Sequence, residues 1–200
     1  MFCKIFLVAA LTVLSEMALA ESIVPAREPV ERLNAALIDV MKNAGRLGYQ
    51  GRYKKLEPVI KDVFQFDAIA EIALGANWKK LDQTGQRTFV GTLTDLSIAT
   101  YASEFDAYAG QTFRFDGTEA VKPDRVIVRY TMLRPDNDPV KFDYIVNQYG
   151  KKWRIINVIA DGVSDLAIKK GQYKSVIERE GFDSLLAKLK QKIADYAKKK

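Results

Sequence analysis

The apolar residues of this chain change period twice, and that double change constrains the fold more than any single motif. Apolar side chains recur every three to four residues as far as Tyr108, alternate every second residue from Gln111 to Ile159, and return to the helical spacing from Ser164 onward. In the first section Val30, Leu33, Leu37, Val40 and Met41 predict an amphipathic helix over Pro29 to Ala44, ended by Gly45. Gly48 and Gly51 predict a loop over Tyr49 to Tyr53, followed by a short helix from Lys55 to Val63. Asp67 to Leu74 is the next helical segment, with Asp67 as N-cap and Gly75 as the stop. The longest helical pattern runs from Asp82 to Tyr108, carrying Phe89, Leu93, Leu96 and Thr100 on one stripe and Val90, Ser97, Tyr101, Phe105 and Tyr108 beside it.

Four strand signals follow. Phe113 and Phe115 alternate in the first; Val126, Val128, Tyr130 and Met132 in the second; Val140, Phe142, Tyr144 and Val146 in the third; and the fourth spans Trp153 to Ile159. Asn137-Asp138-Pro139 and Tyr149-Gly150-Lys151 carry turn chemistry between them. Connectors this short favour an antiparallel meander. Two C-terminal helices are expected, from Ser164 to Arg179 and from Phe182 to about Tyr196, before a basic tail from Lys198 to Lys200. Helices at both ends with one run of four strands between them predict an α+β fold.

The first twenty residues have the layout of a secretory leader: Lys4, an apolar stretch from Ile5 to Leu14, and Ala18-Leu19-Ala20 ahead of Glu21. The apolar stretch is far short of the roughly 20 residues that span a bilayer. The expectation is therefore a signal peptide over residues 1–20, a single domain over 21–200, and a periplasmic location. Cys3 is the only cysteine and would leave with the leader. The sequence has no histidine, which excludes Cys/His zinc sites and nucleophiles activated by histidine. No calcium-loop spacing and no glycine-rich phosphate loop is present, so no metal or cofactor is expected. The formal net charge of +6 would attract anionic lipid headgroups or acidic partners.

Bulky side chains are concentrated on one face of the sheet pattern: Phe113, Phe115, Tyr130, Phe142, Tyr144 and Trp153. Such a face either fills a core or borders an apolar cavity closed by helices. Paired carboxylates are the acid–base device left without histidine, but Asp143, Asp161 and Asp165 form no evident pair, and Asp161 reads as a turn or cap residue. The basic residues are scattered and lack interleaved aromatics, so no nucleic-acid partner is expected.

Several segments are similar to one known family. Phe64-Gln65-Phe66-Asp67, Ala70, Leu74-Gly75, Trp78, Gln86, Phe89 and the tyrosines 101 and 108 resemble the MlaC and toluene-tolerance family of periplasmic lipid carriers. Pro139-Val140, Phe142-Asp143-Tyr144, Trp153 to Val158 and Gly162-Val163-Ser164 continue the pattern in the same order. After Ser164 the chain departs from it: Asp165-Leu166-Ala167 and Lys169-Lys170-Gly171-Gln172-Tyr173 look more like the hopanoid-associated HpnM branch. The resemblance implies a nuclear-transport-factor-like curved sheet of four antiparallel strands, packed with N- and C-terminal helices around an apolar cavity for acyl chains. It also implies exchange of phospholipid or hopanoid with an inner-membrane transporter and transient contact with membrane surfaces. The cargo is then expected between the aromatic sheet face and the long helix, against Trp78, Tyr101, Phe105, Phe113, Phe115, Val128, Tyr130, Phe142, Tyr144 and Trp153. Such a carrier needs no catalytic residue and is not expected to be an enzyme. Two rivals stay open: an adaptor subunit of a transport complex that carries no cargo, and a hydrolase working through carboxylates.

Overall fold

The computed structural model describes residues 25–198. The expected leader, and any start at Glu21, lie outside those residues, as do the last two lysines of the tail. Among the described residues no helix is long and apolar enough to cross a membrane.

The N-terminal half is helical. Helix α1 covers residues 25–42 and breaks at Asn43, and α2 follows at once over Ala44–Val63. The break lies two residues before Gly45, because Asn43 turns its side-chain amide back onto the carbonyl of Asp39 at 2.9 Å. The loop expected over Tyr49 to Tyr53 is instead the body of α2. Gly48 takes a φ of 57° that only glycine adopts freely, kinks the helix there, and lets the helical path resume. Tyr49, Arg52 and Leu56 then face inward. Helix α3 is Phe66–Leu74, with Gln65 in the capping position and Asp67 inside the first turn, so Asp67 is not the N-cap. Gly75 ends it at φ 54°, and a 3-10 helix over Gly75–Lys80 leads to α4, Gln83–Glu104. Asp82 caps α4 by accepting from the Gly85 amide at 2.7 Å. Helix α4 stops four residues short of Tyr108.

The sheet is an open antiparallel meander of five strands in sequence order, one more than expected: β1 Thr112–Lys122, β2 Arg125–Arg134, β3 Asn137–Tyr149, β4 Lys152–Ala160 and the short β5 Val163–Ser164. Tyr149 pairs with Lys152 across Gly150-Lys151, the turn expected there. Asn137-Asp138-Pro139 is not a turn but the start of β3, since Arg134 pairs with Asn137 and the chain reverses at Pro135-Asp136. Asp161 sits at φ 48° in the β4–β5 turn, and its carboxylate accepts the Lys141 amide at 2.8 Å, the turn role expected of it. Helix α5, Asp165–Glu180, starts at a Ser164 cap, and α6, Phe182–Lys198, follows Gly181.

Register shifts interrupt three of the strand pairings, as β-bulges that locally bend and twist a sheet do. One of them decides which residues face inward. Trp153 and Ile155 lie opposite Gln148 and Val146, whereas Val158 and Ala160 lie opposite Tyr144 and Phe142. The extra residue Ile156 therefore switches the parity of β4, and odd and even positions of that strand share one face. The link between α2 and α3 docks on the same strand, where the Gln65 amide donates to the Ile155 carbonyl at 3.0 Å.

Candidate functional site

Helix α4 presents Leu93, Ser97, Thr100 and Tyr101 on one side, at the spacing that aligns residues along a helix face. The hydroxyls on this side are satisfied internally. Ser97 Oγ donates to the Leu93 carbonyl at 2.9 Å and Thr100 Oγ1 to the Leu96 carbonyl at 2.8 Å. Turned back onto their own helix, these residues offer carbon to whatever lies opposite. Opposite lie Phe64 from the α2–α3 link, Phe66 from the first turn of α3, Val158 and Ala160 from β4, and Leu166 from α5, bordering a partly open chamber of about 180 Å³. Its polar groups sit toward α5. Asn157 and Ser164 exchange side-chain hydrogen bonds at 3.0 and 3.3 Å, and Asp165 pairs with Lys169 one helical turn on. Val163 at 55% exposure and Ile168 at 46% place apolar carbon at the surface beside this rim.

Tyr101 belongs both to the chamber and to an aromatic seam behind it. Its ring stacks on Phe105 with centroids 5.7 Å apart and lies 6.0 Å from Phe64. On the sheet the seam continues as Phe113 to Phe142 at 6.1 Å, Phe142 to Tyr144 at 6.0 Å and Tyr144 to Tyr130 at 6.4 Å. Burial, with the Asp165 charge adding to it, pushes the Tyr101 phenol far above its ordinary range, and burial raises Tyr144 in the same way. Burial next to Asp95 pushes Tyr53 up to about 12.

These phenols make stability fall at alkaline pH. Above the ordinary phenol pKa of about 10 the unfolded chain gives up protons that the folded chain keeps, so fewer protons are bound when unfolded and stability drops as pH rises. Urea midpoints should be level below pH about 10 and decline through about 12, the Tyr53 window, and the Tyr53→Phe variant should decline less steeply. A parent and variant with the same alkaline slope would contradict this.

The ten residues expected to hold cargo do not converge on one space. Tyr101 lines the chamber. Phe113, Phe115 and Tyr130 line a separate, open groove of about 610 Å³ between α1 and the β1–β2 pair, where the Arg27 guanidinium lies 3.7 Å over the Phe115 ring. Val128 and Tyr144 are sealed in the core, Tyr144 donating to Asn34 Oδ1 at 3.0 Å. Phe105 and Phe142 pack half-buried against that core. Trp153 is buried in the core with one edge on a surface groove beside Arg32 and Lys152, and Trp78 sits in the 3-10 helix, where its carbonyl accepts from Gln86. Phe64, Phe66, Val158, Ala160 and Leu166 are chamber residues that the sequence reading did not place there. The Phe64-Gln65-Phe66 segment was the available signal, but nothing in its spacing shows that it closes a hollow.

Val128 distinguishes core from chamber. Val128→Trp should lower stability by about 1–3 kcal/mol in urea unfolding, because a fully buried sheet position has no space for an indole, while ligand content per folded molecule stays at the parent level.

The fold and the family both have precedents. A family model, that of the MlaC protein, matches residues 31–191. Among solved structures, the phospholipid-binding protein of Ralstonia solanacearum, determined in complex with a phospholipid, superposes with a TM-score of 0.75 at 24% identity, covering 86% of this chain and 99% of that one. The α+β architecture is common to both.

Proposed function

The chain belongs to the MlaC family, and on that premise we propose that it is a lipid carrier, moving phospholipid across the periplasm to or from an inner-membrane transporter. The observation that carries the reading is the chamber between α3, α4, β4 and α5, lined by aromatic and aliphatic carbon with the hydroxyls of α4 tied back. Moving a methylene into water costs about 0.8 kcal/mol, so an acyl chain of about sixteen carbons faces on the order of 10 kcal/mol in crossing an aqueous gap unaided. A carrier lowers that cost by replacing water with Phe64, Phe66, Leu93 and Val158, and uses no bond-making group to do so. The phospholipid found in the Ralstonia protein on the same fold supports this choice of cargo.

The leader expected over residues 1–20 supplies the route to the periplasm. Release to a transporter calls for a weak contact, and the lysines of the C-terminal helices, among them Lys169 and Lys170, are the proposed docking surface. A polycyclic hopanoid is the second reading of the cargo. It is favoured by the segment Asp165 to Tyr173, which departs from the wider family pattern and contributes Asp165, Leu166 and Lys169 to the chamber wall.

The test is transfer of a phosphatidylglycerol with a fluorescent acyl chain from donor to acceptor vesicles. A transfer rate that rises in proportion to protein concentration supports a carrier. A rate unchanged by protein would overturn the proposal and favour an adaptor without cargo.

A further inference from the structure

A second hollow lies next to the first along α4, between that helix and the C-terminal pair α5 and α6, with a volume of about 290 Å³. Its apolar wall comes from Leu96 of α4, Val176 of α5, and Leu185 and Leu189 of α6. The charged residues lining it are three lysines, Lys169, Lys188 and Lys192, against one carboxylate, Asp165. It adjoins the chamber of the proposed carrier site, since Thr100, Asp165 and Lys169 line both spaces.

Tyr173 gives this hollow a specific chemistry. The residue is 4% exposed and lines the space, and its phenolic oxygen is buried without a hydrogen-bond partner. Its ring is held edge-on against Phe89 at 5.9 Å, so the phenol has little freedom to turn toward solvent. A buried hydroxyl left unpaired is costly, and a binding site is where such a group gains its partner.

We propose that this hollow is a second acyl-chain site. One chain of a diacyl phospholipid lies in the α3–α4–β4 chamber and the other in the α4–α5–α6 hollow, with Tyr173 donating to an ester carbonyl oxygen of the second chain and Lys169, at the junction, meeting the phosphate. The proposal rests on the carrier reading and adds to it a count of chains and a place for each. Lys169 suits the junction: its side chain is 18% exposed, and its partner Asp165 belongs to the wall of both spaces. A phosphate arriving there exchanges a carboxylate partner for a phosphate one, with Lys192 on the same wall to help balance its charge, while Lys188 is already paired with Glu180 at 3.0 Å.

The experiment compares a two-chain probe, dioleoyl phosphatidylglycerol, with its one-chain lyso derivative, binding each to the full-length protein and to two variants. Val176→Trp fills the hollow and should weaken binding of the two-chain lipid by about tenfold or more while leaving the lyso lipid within about twofold. Tyr173→Phe keeps the ring against Phe89 and removes only the hydroxyl. It should weaken the two-chain lipid by about fivefold, the equivalent of one hydrogen bond, and decides the matter even if the tryptophan variant misfolds. Two-chain binding at parent strength in Tyr173→Phe, or in folded Val176→Trp, overturns the proposal, as does an equal loss of both lipids. If the parent protein binds neither lipid, the carrier reading itself fails, an outcome distinct from failure of the second site.

Discussion

Ser97→Trp should yield a folded protein that no longer retains lipid. Ser97 stands on the chamber side of α4, one turn beyond Leu93, and its hydroxyl is already engaged by the carbonyl of that residue. The substitution therefore leaves no buried polar group behind and projects an indole into a partly open space of about 180 Å³. Lipid per folded molecule, measured after organic extraction, should fall by about tenfold or more, with a loss of stability of no more than about 1–3 kcal/mol. Thr88→Trp is the matched control, since Thr88 lies on the same helix but is exposed, and it should keep its lipid. Full lipid content in the Ser97 variant would place the cargo elsewhere.

Phe89→Ala should cost about 3–5 kcal/mol, the range for removing a large aromatic side chain from a sealed site. Phe89 is wholly buried and joins three helices, meeting Tyr173 of α5 edge-on at 5.9 Å and Phe182 at the start of α6 at 6.1 Å. Helix α6 buries only Leu185 and Leu189 fully, so its attachment to α4 depends heavily on this cluster. Urea unfolding measures the loss, and limited proteolysis should show earlier cleavage within α6. A loss below about 1 kcal/mol would contradict the docking of α5 and α6 described above.

The parts of the fold legible in the sequence are those governed by period. The switch of period between Tyr108 and Gln111 gives the first four strands, Asp82 marks the start of α4, and Ser164 and Gly181 bound α5. The readings that failed depended on backbone choices that composition leaves open. Gly48 and Gly51 suggest a loop, yet the non-helical backbone is confined to a kink at Gly48, and the helical path resumes through Tyr49 and Tyr53. Strand β5 is only two residues long and carries no period of its own. The candidate site was less legible than the fold. Large aromatic residues are conspicuous in a sequence, and here they are divided between the sealed core, the α1 groove and the seam behind Tyr101. The chamber wall combines Phe64, Phe66 and Tyr101 with smaller residues, Ser97, Val158 and Ala160, whose inward direction depends on helix docking and on the bulge at Ile156.

The most direct test of the carrier account is organic extraction and mass spectrometry of the full-length protein purified without detergent from a periplasmic extract. The account predicts co-purified lipid near one molecule per protein, with diacyl phospholipid supporting the wider family role and a polycyclic triterpenoid supporting the hopanoid reading. A protein that emerges free of lipid, and whose unfolding midpoint does not move when phospholipid is supplied, would contradict it.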